Sequence, residues 1–321
     1  MKLEHEGTKA RRHERKYEES VSRFRAFVPS RYFIVNITIL LSSLGFSHAA
    51  IVDSIMVYTP QDRAIFNDYI ATFGVKRDLP MNQLVLETGF YFLETPYVNY
   101  TLEATSPNEK LIINLRELDC TTFTETCLAL ARTLKSNDIS FERYAKELMN
   151  LRFRGGILDG YASRLHYFSE WLYDNVQLGT IEDITLKANG INFPVTLNLM
   201  TRVAKNYPQL ADTTVLKQIS DIEAVLSNRK YYYIPKDRLH SAKPFIQDGD
   251  ILSMTVSGKG MDIMHMGFAV HIDDKLHFIH ASSTNKRVVI TQVPFKEYLT
   301  GIKQNTGIMI ARPLEMNNEN N

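Results

Sequence analysis

At Ile251 the chain changes character. Upstream, apolar residues recur at helical spacing. From 251 onward, residues 251–256, 263–271, 275–280, 288–293 and 308–312 alternate or are β-branched. Ser257-Gly258, Asp273-Asp274 and Ser283-Thr284-Asn285 punctuate them as turns. Helices first and a meander of strands last predict an α+β fold built on an antiparallel sheet. No internal repeat is visible.

Upstream of the change, residues 84–92 suit a helix or a strand equally. Thr95-Pro96-Tyr97-Val98 breaks any helix and begins an extended piece, and 110–115 reads as a short apolar strand. Asp119 has the character of a helix N-cap, which makes Cys120 the first helical residue. Phe123, Cys127, Leu130 and Leu134 follow at helical spacing, so Cys127 is expected in the core. Another amphipathic helix is expected over 141–151. Residues 164–175 form an aromatic-rich run that includes the single tryptophan, Trp171. Residues 196–228 are expected to be mainly helical, and the stretch 196–240, with Tyr231-Tyr232-Tyr233, to shape one wall of a cleft.

Charge narrows the function. The chain of 321 residues has 37 Lys and Arg against 36 Asp and Glu, so it lacks the basic excess of a nucleic-acid-binding protein. A hydrophobic share of 44% excludes global disorder. The basic residues are concentrated at the start: residues 1–31 hold nine Lys and Arg and five Asp and Glu. An uncharged apolar run follows from Tyr32 to Phe46, and then Ser47-His48-Ala49. A basic region, a short apolar core and a small-x-small site read as a secretory signal peptide over 1–49. The apolar run is shorter than the roughly 20 residues that span a bilayer. An uncleaved N-terminal anchor is the other reading. Either way the protein is expected to be exported, to the periplasm. The two cysteines, Cys120 and Cys127, stand about 10 Å apart on a helix, too far for a disulfide. A thiol kept in an exported protein invites a search for its histidine.

The strand hairpin supplies two. With a two-residue loop at Asp273-Asp274, Ile272 pairs with Lys275. His265 then falls opposite Ser282, with His280 as its diagonal neighbour on the same face. His277 falls on the other face, and His271 lies about 20 Å along the strand. A cysteine at a helix start with two imidazoles on one sheet face provides a nucleophile, a base and an orienting group. The helix terminus favours thiolate, and a thiolate–imidazolium pair is the expected resting state. On spacing alone, the same residues also suit two structural histidines and a small core cysteine. A metalloamidase using His265 and His280 with Asp119 is disfavoured, because no His-Glu-x-x-His or comparable ligand pair is present.

The ordered set Thr95-Pro96-Tyr97-Val98, Asp119-Cys120, Gly249-Asp250-Ile251, His265-Met266-Gly267-Phe268 and His280-Ala281 resembles the NlpC-type cell-wall cysteine peptidases. The segments 118–125, 160–168 and 280–283 resemble the N-acetylmuramoyl-L-alanine amidase-like branch of that superfamily. The resemblance covers roughly residues 85–313. The long gap from Tyr97 to Cys120, and Thr121 where Ser-Gly usually follows the cysteine, depart from the commoner NlpC-type pattern but are acceptable in this branch.

The resemblance implies a papain-like α+β core: a helix carrying the Cys nucleophile packs on an antiparallel sheet carrying the His residues, with a helical insertion at about 138–240. Residues 50–315 would form one domain and 316–321 a disordered tail. It implies Cys120 as nucleophile, His265 as general base and His280 as the orienting third residue. Tyr97, Tyr161, Arg164, His166 and Ser282 would bind substrate, with Arg164 suited to a stem-peptide carboxylate or the sugar. The implied activity is hydrolysis of the bond between N-acetylmuramic acid, in its anhydro form, and L-alanine in peptidoglycan fragments. No cofactor, metal or obligate protein partner is implied. A γ-D-glutamyl-diaminopimelate endopeptidase and a non-catalytic muropeptide-binding module are the alternatives.

Overall fold

The computed structural model describes residues 55–103 and 108–316. The 1–49 signal segment and the tail after 316 lie outside the described residues. Helices α1 (Pro60–Phe73), α2 (Met81–Tyr91), α3 (Cys120–Lys135), α4 (Phe141–Arg152) and α5 (Phe168–Gln177) come first, with short paired strands β1 (Met56–Val57) and β2 (Leu111–Ile112). Next come β3 (Ile181–Asp183), β4 (Ile191–Asn192), α6 (Leu199–Arg202), α7 (Thr213–Ser227), β5 (Tyr232–Pro235) and α8 (Leu239–Ala242). The meander β6 (Ile251–Val256), β7 (Ile263–Ile272), β8 (Lys275–Ser282) and β9 (Arg287–Ile290) precedes α9 (Phe295–Gly301) and β10 (Asn305–Pro313). This is an α+β fold with an antiparallel sheet. Among the described residues no helix is long and apolar enough to cross a membrane.

The sheet runs in the order β4-β5-β10-β6-β7-β8-β9, with β3 also paired to β10. The stretch between α4 and β6 is therefore not purely helical, since it adds three strands to the sheet's far side. Strand alternation sorts side chains into two layers. Ile251, Met266, Phe268, Val270 and Ile279 join the core shared with the helices. Leu252, Met254, Ala269 and Phe278 join a second core under α8 and α9.

Helix α3 is the centre of the helical layer and is buried along almost its whole length. It packs on β7, with the Phe123 and Phe268 rings 5.6 Å apart. Burial of its polar residues is balanced by ion pairs: Glu125 with Arg152 at 2.8 Å, and Arg132 with Glu147 at 2.7 Å. Arg152 also donates to the Ile112 carbonyl. Residues 84–91 resolve as part of helix α2, with Phe92 as its C-cap. Leu84, Val85, Leu86, Phe90 and Tyr91 are all buried, so no apolar stripe exists to reveal the helical period.

Candidate active site

Cys120 is fixed by a capping box. The Asp119 carboxylate accepts from the Thr122 N–H at 2.8 Å, and the Thr122 hydroxyl oxygen accepts from the Asp119 N–H at 2.9 Å. The helix therefore begins at the thiol, as the N-cap pattern predicts. Cys127, two turns on, is buried in the core.

The hairpin has the predicted register: Ile272 pairs with Lys275, and pairing continues to Phe268 opposite Ile279. Asp273 and Asp274 both take positive φ, at 49° and 59°, as a two-residue hairpin loop of this twist requires. Where β7 meets β6 a β-bulge intervenes between His265 and Ile263. His265 Nε2 lies 2.6 Å from His280 Nδ1, with the rings nearly perpendicular. The His280 ring stacks on Phe278 at 4.8 Å and meets Tyr298 of α9 at 5.3 Å. Gly267 makes this close pairing possible, because a Cβ there would strike the Ile279 carbonyl oxygen and the His280 Cβ. The remaining strand histidines are occupied elsewhere: His271 Nδ1 with Asp248 and His277 Nδ1 with the Thr291 carbonyl.

Cys120, Thr121, His265 and Met266 stand together on one pocket of about 230 Å³. Tyr161, His166, Phe168, Trp171, Met200 and Tyr207 form the opposite walls. Asp262 holds the pocket's two sides in place by accepting from the Ser169 N–H at 2.6 Å and the Ile263 N–H at 2.7 Å. This caps the first turn of α5, whose own N-cap residue, Tyr167, makes no capping bond. Glu223 of α7 accepts from the Met200 N–H at 3.0 Å and from the Tyr167 hydroxyl, which anchors the far wall.

Burial governs the electrostatics. It pushes the Cys120 thiol up to about 12, with Asp119 adding to the rise; the Met266 N–H pulls the other way. It pushes His265 down to about 4 and His280 well below the ordinary imidazole value, the latter helped by His265. Both shifts favour the neutral thiol and the neutral imidazole. They run against the expected thiolate–imidazolium pair, because desolvation of both groups and the capping carboxylate next to the sulfur oppose the helix terminus.

The predicted substrate residues divide. Tyr161 and His166 line the pocket. His166 Nε2 is 2.9 Å from the Tyr161 carbonyl oxygen, and burial with Arg164 nearby pushes it down to about 3. Arg164 does not line the pocket. It is buried, ion-paired to Glu103 at 2.6 Å and Glu109 at 3.4 Å, and donates to the Leu102 carbonyl. Its guanidinium lies over the Tyr161 ring, so it supports that wall and has no free fork for a carboxylate. Ser282 is likewise away from the pocket walls: it is buried at the β8–β9 turn and accepts from the Asn285 N–H. Tyr97 is half-buried and its hydroxyl donates to Asn99. Burial and the neighbouring Cys120 push its hydroxyl up to about 12. In the 196–240 stretch, Leu199, Met200 and Tyr207 do form a wall. Tyr231 and Tyr232 instead line a separate groove with Tyr173 and Arg229. Sequence reasoning missed Tyr298, Asp262 and Tyr207; no local pattern marks them. Among the described residues no group of three or more His, Cys, Asp or Glu side chains is arranged to hold a metal ion.

The fold has relatives. An N-acetylmuramoyl-L-alanine amidase from Bacteroides uniformis is 36% identical, covering 73% of this chain and 99% of its own, with a TM-score of 0.69. A Bacteroides fragilis protein with a provisional xylanase name is also 36% identical over 70% of this chain and 99% of its own, at a TM-score of 0.66. A Legionella pneumophila protein, 20% identical over 84% of this chain and 97% of its own, shares the fold at a TM-score of 0.62. No curated protein matches the chain. The family model described as N-acetylmuramoyl-L-alanine amidase-like matches residues 87–308, and the chain belongs to that family.

Proposed function

We propose that this protein is a cysteine-dependent amidase that hydrolyses the bond between N-acetylmuramic acid, in its anhydro form, and L-alanine in peptidoglycan fragments. The observation that carries the reading is the shared pocket of Cys120 and His265, with His280 Nδ1 paired to His265 Nε2. In the tautomer with the proton on His265 Nε2, His280 Nδ1 accepts it, and His265 Nδ1 keeps its lone pair for the Cys120 thiol proton. His265 takes that proton as the sulfur attacks the muramoyl carbonyl. The oxyanion is held by the Cys120 N–H at the open helix start. His265 returns the proton to the L-alanine nitrogen as the amide bond breaks, leaving a muramoyl thioester. Water, deprotonated by His265, then releases the muramic carboxylate and restores the thiol.

Two observations weigh on the other readings. A glycosidase needs a pair of available carboxylates. The pocket's two acids, Glu103 and Asp262, are engaged by Arg164 and by backbone N–H groups. A binding module has no need of a nucleophile beside a histidine pair. The papain-like core over residues 50–315, and export to the periplasm, belong to the same proposal. Export is supported by the basic region, apolar run and small-x-small site at the amino terminus.

The test is mass spectrometry of anhydro-muramyl disaccharide-tetrapeptide incubated with the protein and with its Cys120→Ala variant. Free disaccharide and intact tetrapeptide from the wild type alone are expected. A clipped peptide would make the protein an endopeptidase, and no product would overturn the enzyme reading.

A further inference from the structure

Thr121 stands where Ser-Gly follows the cysteine in the commoner NlpC-type pattern, and no step proposed for Cys120 and His265 uses it. It is the second residue of α3 and lines the pocket with Cys120. Three other threonines of this helix tie their hydroxyls inside it or to its cap. Thr122 bonds the Asp119 carboxylate, Thr124 the Cys120 carbonyl at 2.9 Å and Thr133 the Ala129 carbonyl at 2.7 Å. A helical threonine ordinarily reaches the carbonyl three or four residues back. From position 121 that means Leu118 or Glu117, both of which precede the first helical residue. The first turn therefore offers this hydroxyl no helical acceptor. The acceptor it meets is the Cys120 sulfur.

A second donor reaches the sulfur from the sheet. Ile272 and Lys275 flank a two-residue loop, so they form a hydrogen-bonded pair, and every second residue of β7 back from there turns its backbone groups toward β8. Val270, Phe268 and Met266 make up that series. The pairing ends at Phe268 opposite Ile279, although β8 itself runs on to Ser282. Met266 is one step past the end of the ladder, and its N–H donates toward the Cys120 sulfur. Burial and Asp119 push the thiol up; the Met266 N–H and the Thr121 hydroxyl pull it the other way. Burial also lowers both imidazoles, which raises the weight of neutral donors at the sulfur.

We propose that Thr121 is a further catalytic residue: its hydroxyl, together with the Met266 N–H, holds the Cys120 sulfur and stabilises the negative charge that gathers on it. The inference rests on the amidase reading. Charge gathers twice, first when His265 removes the thiol proton as the C–S bond forms, and again when water's attack expels the sulfur from the thioester. Thr121 keeps its own proton throughout. Its hydrogen bond is to a neutral thiol at rest and to a developing thiolate in both transition states, so its effect falls on kcat more than on KM.

The first arm of the test needs no turnover. The full chain is treated with iodoacetamide at pH 8, and labels on Cys120 and on the buried Cys127 are read separately by peptide mass spectrometry. Thr121→Val should slow labelling of Cys120 by about 3-fold, a roughly tenfold smaller thiolate share being partly offset by a more nucleophilic thiolate. Thr121→Ser, which keeps the hydroxyl, should stay within about 2-fold of the wild type. Thr121→Ala removes the hydroxyl without a branched side chain at the helix start, and it should match Thr121→Val. Unchanged labelling in the Val and Ala variants, or equal slowing in Ser and Val, overturns the proposal. The second arm is steady-state kinetics on anhydro-muramyl disaccharide-tetrapeptide. Thr121→Val should lower kcat about 10-fold with KM within about 3-fold, and Thr121→Ser should recover most of the loss. A change in KM alone would make Thr121 a substrate contact and overturn its role at the sulfur. Absence of turnover from the wild type would defeat the amidase reading, and the labelling would still decide whether Thr121 acts on the thiol.

Discussion

His280 touches His265 through one ring nitrogen at 2.6 Å and packs on the rings of Phe278 and Tyr298, and among the described residues it pairs with no carboxylate. In the proposed mechanism the third residue therefore works as a neutral acceptor. His280→Ala should lower kcat by roughly 10²–10⁴-fold. His280→Asn, which keeps an acceptor on a short side chain, should retain more activity than His280→Ala. Steady-state kinetics on both variants check this; equal losses would mean that His280 acts only by filling space.

The opposed shifts of the thiol and the imidazole predict the pH profile. His265 must be unprotonated to take the thiol proton, and burial holds it at about 4. kcat/KM should therefore fall on the acid side only near pH 4. The Cys120 thiol, pushed up to about 12, should produce no alkaline limb below about pH 9. Iodoacetamide should alkylate Cys120 slowly at pH 7, and faster with rising pH. A fast, pH-independent alkylation between pH 5 and 8 would indicate a preformed thiolate.

Asp119 has two opposed effects on the helix start. It caps the Thr122 N–H and also raises the thiol of the next residue. Asp119→Ala should cost about 0.5–2 kcal/mol of stability. The same substitution should lower the thiol pKa. Denaturant melts and alkylation rates on one variant read the two effects separately.

The Arg152–Glu125 pair is buried on both sides and ties α4 to α3 one turn beyond Cys120. Arg152→Met leaves the Glu125 carboxylate buried without its cation and should cost about 3–5 kcal/mol. Adding Glu125→Leu should recover much of that loss. Urea unfolding of the two variants gives the comparison. A double variant no more stable than Arg152→Met would mean that the stranded carboxylate is not what destabilises the single variant.

Much of this was legible because it is local. The Asp119-Cys120 junction announces a helix start through cap chemistry confined to four residues. Asp273-Asp274 sets the hairpin register, and with it which two of the strand histidines meet. What stayed hidden depends on distant segments. Arg164 looks like a carboxylate receptor until Glu103, 61 residues away in sequence, occupies it. Ser282 sits in a resemblance-bearing segment, but its hydroxyl braces a turn. Tyr298 reaches His280 only because α9 folds back under the sheet. The thiol's rise reflects desolvation, which no sequence window measures.

The position of β10 carries a consequence for biosynthesis. It lies between β6 and β5 and pairs with both, although it is the last strand to be made. A nascent chain that has reached residue 304 already contains the thiol and both imidazoles. Yet one flank of β6, the strand that supports His265, has no partner for its backbone groups, and the far side of the sheet has nothing to attach to. Hydrolytic competence should therefore appear abruptly, only after residues 305–313 have left the ribosome.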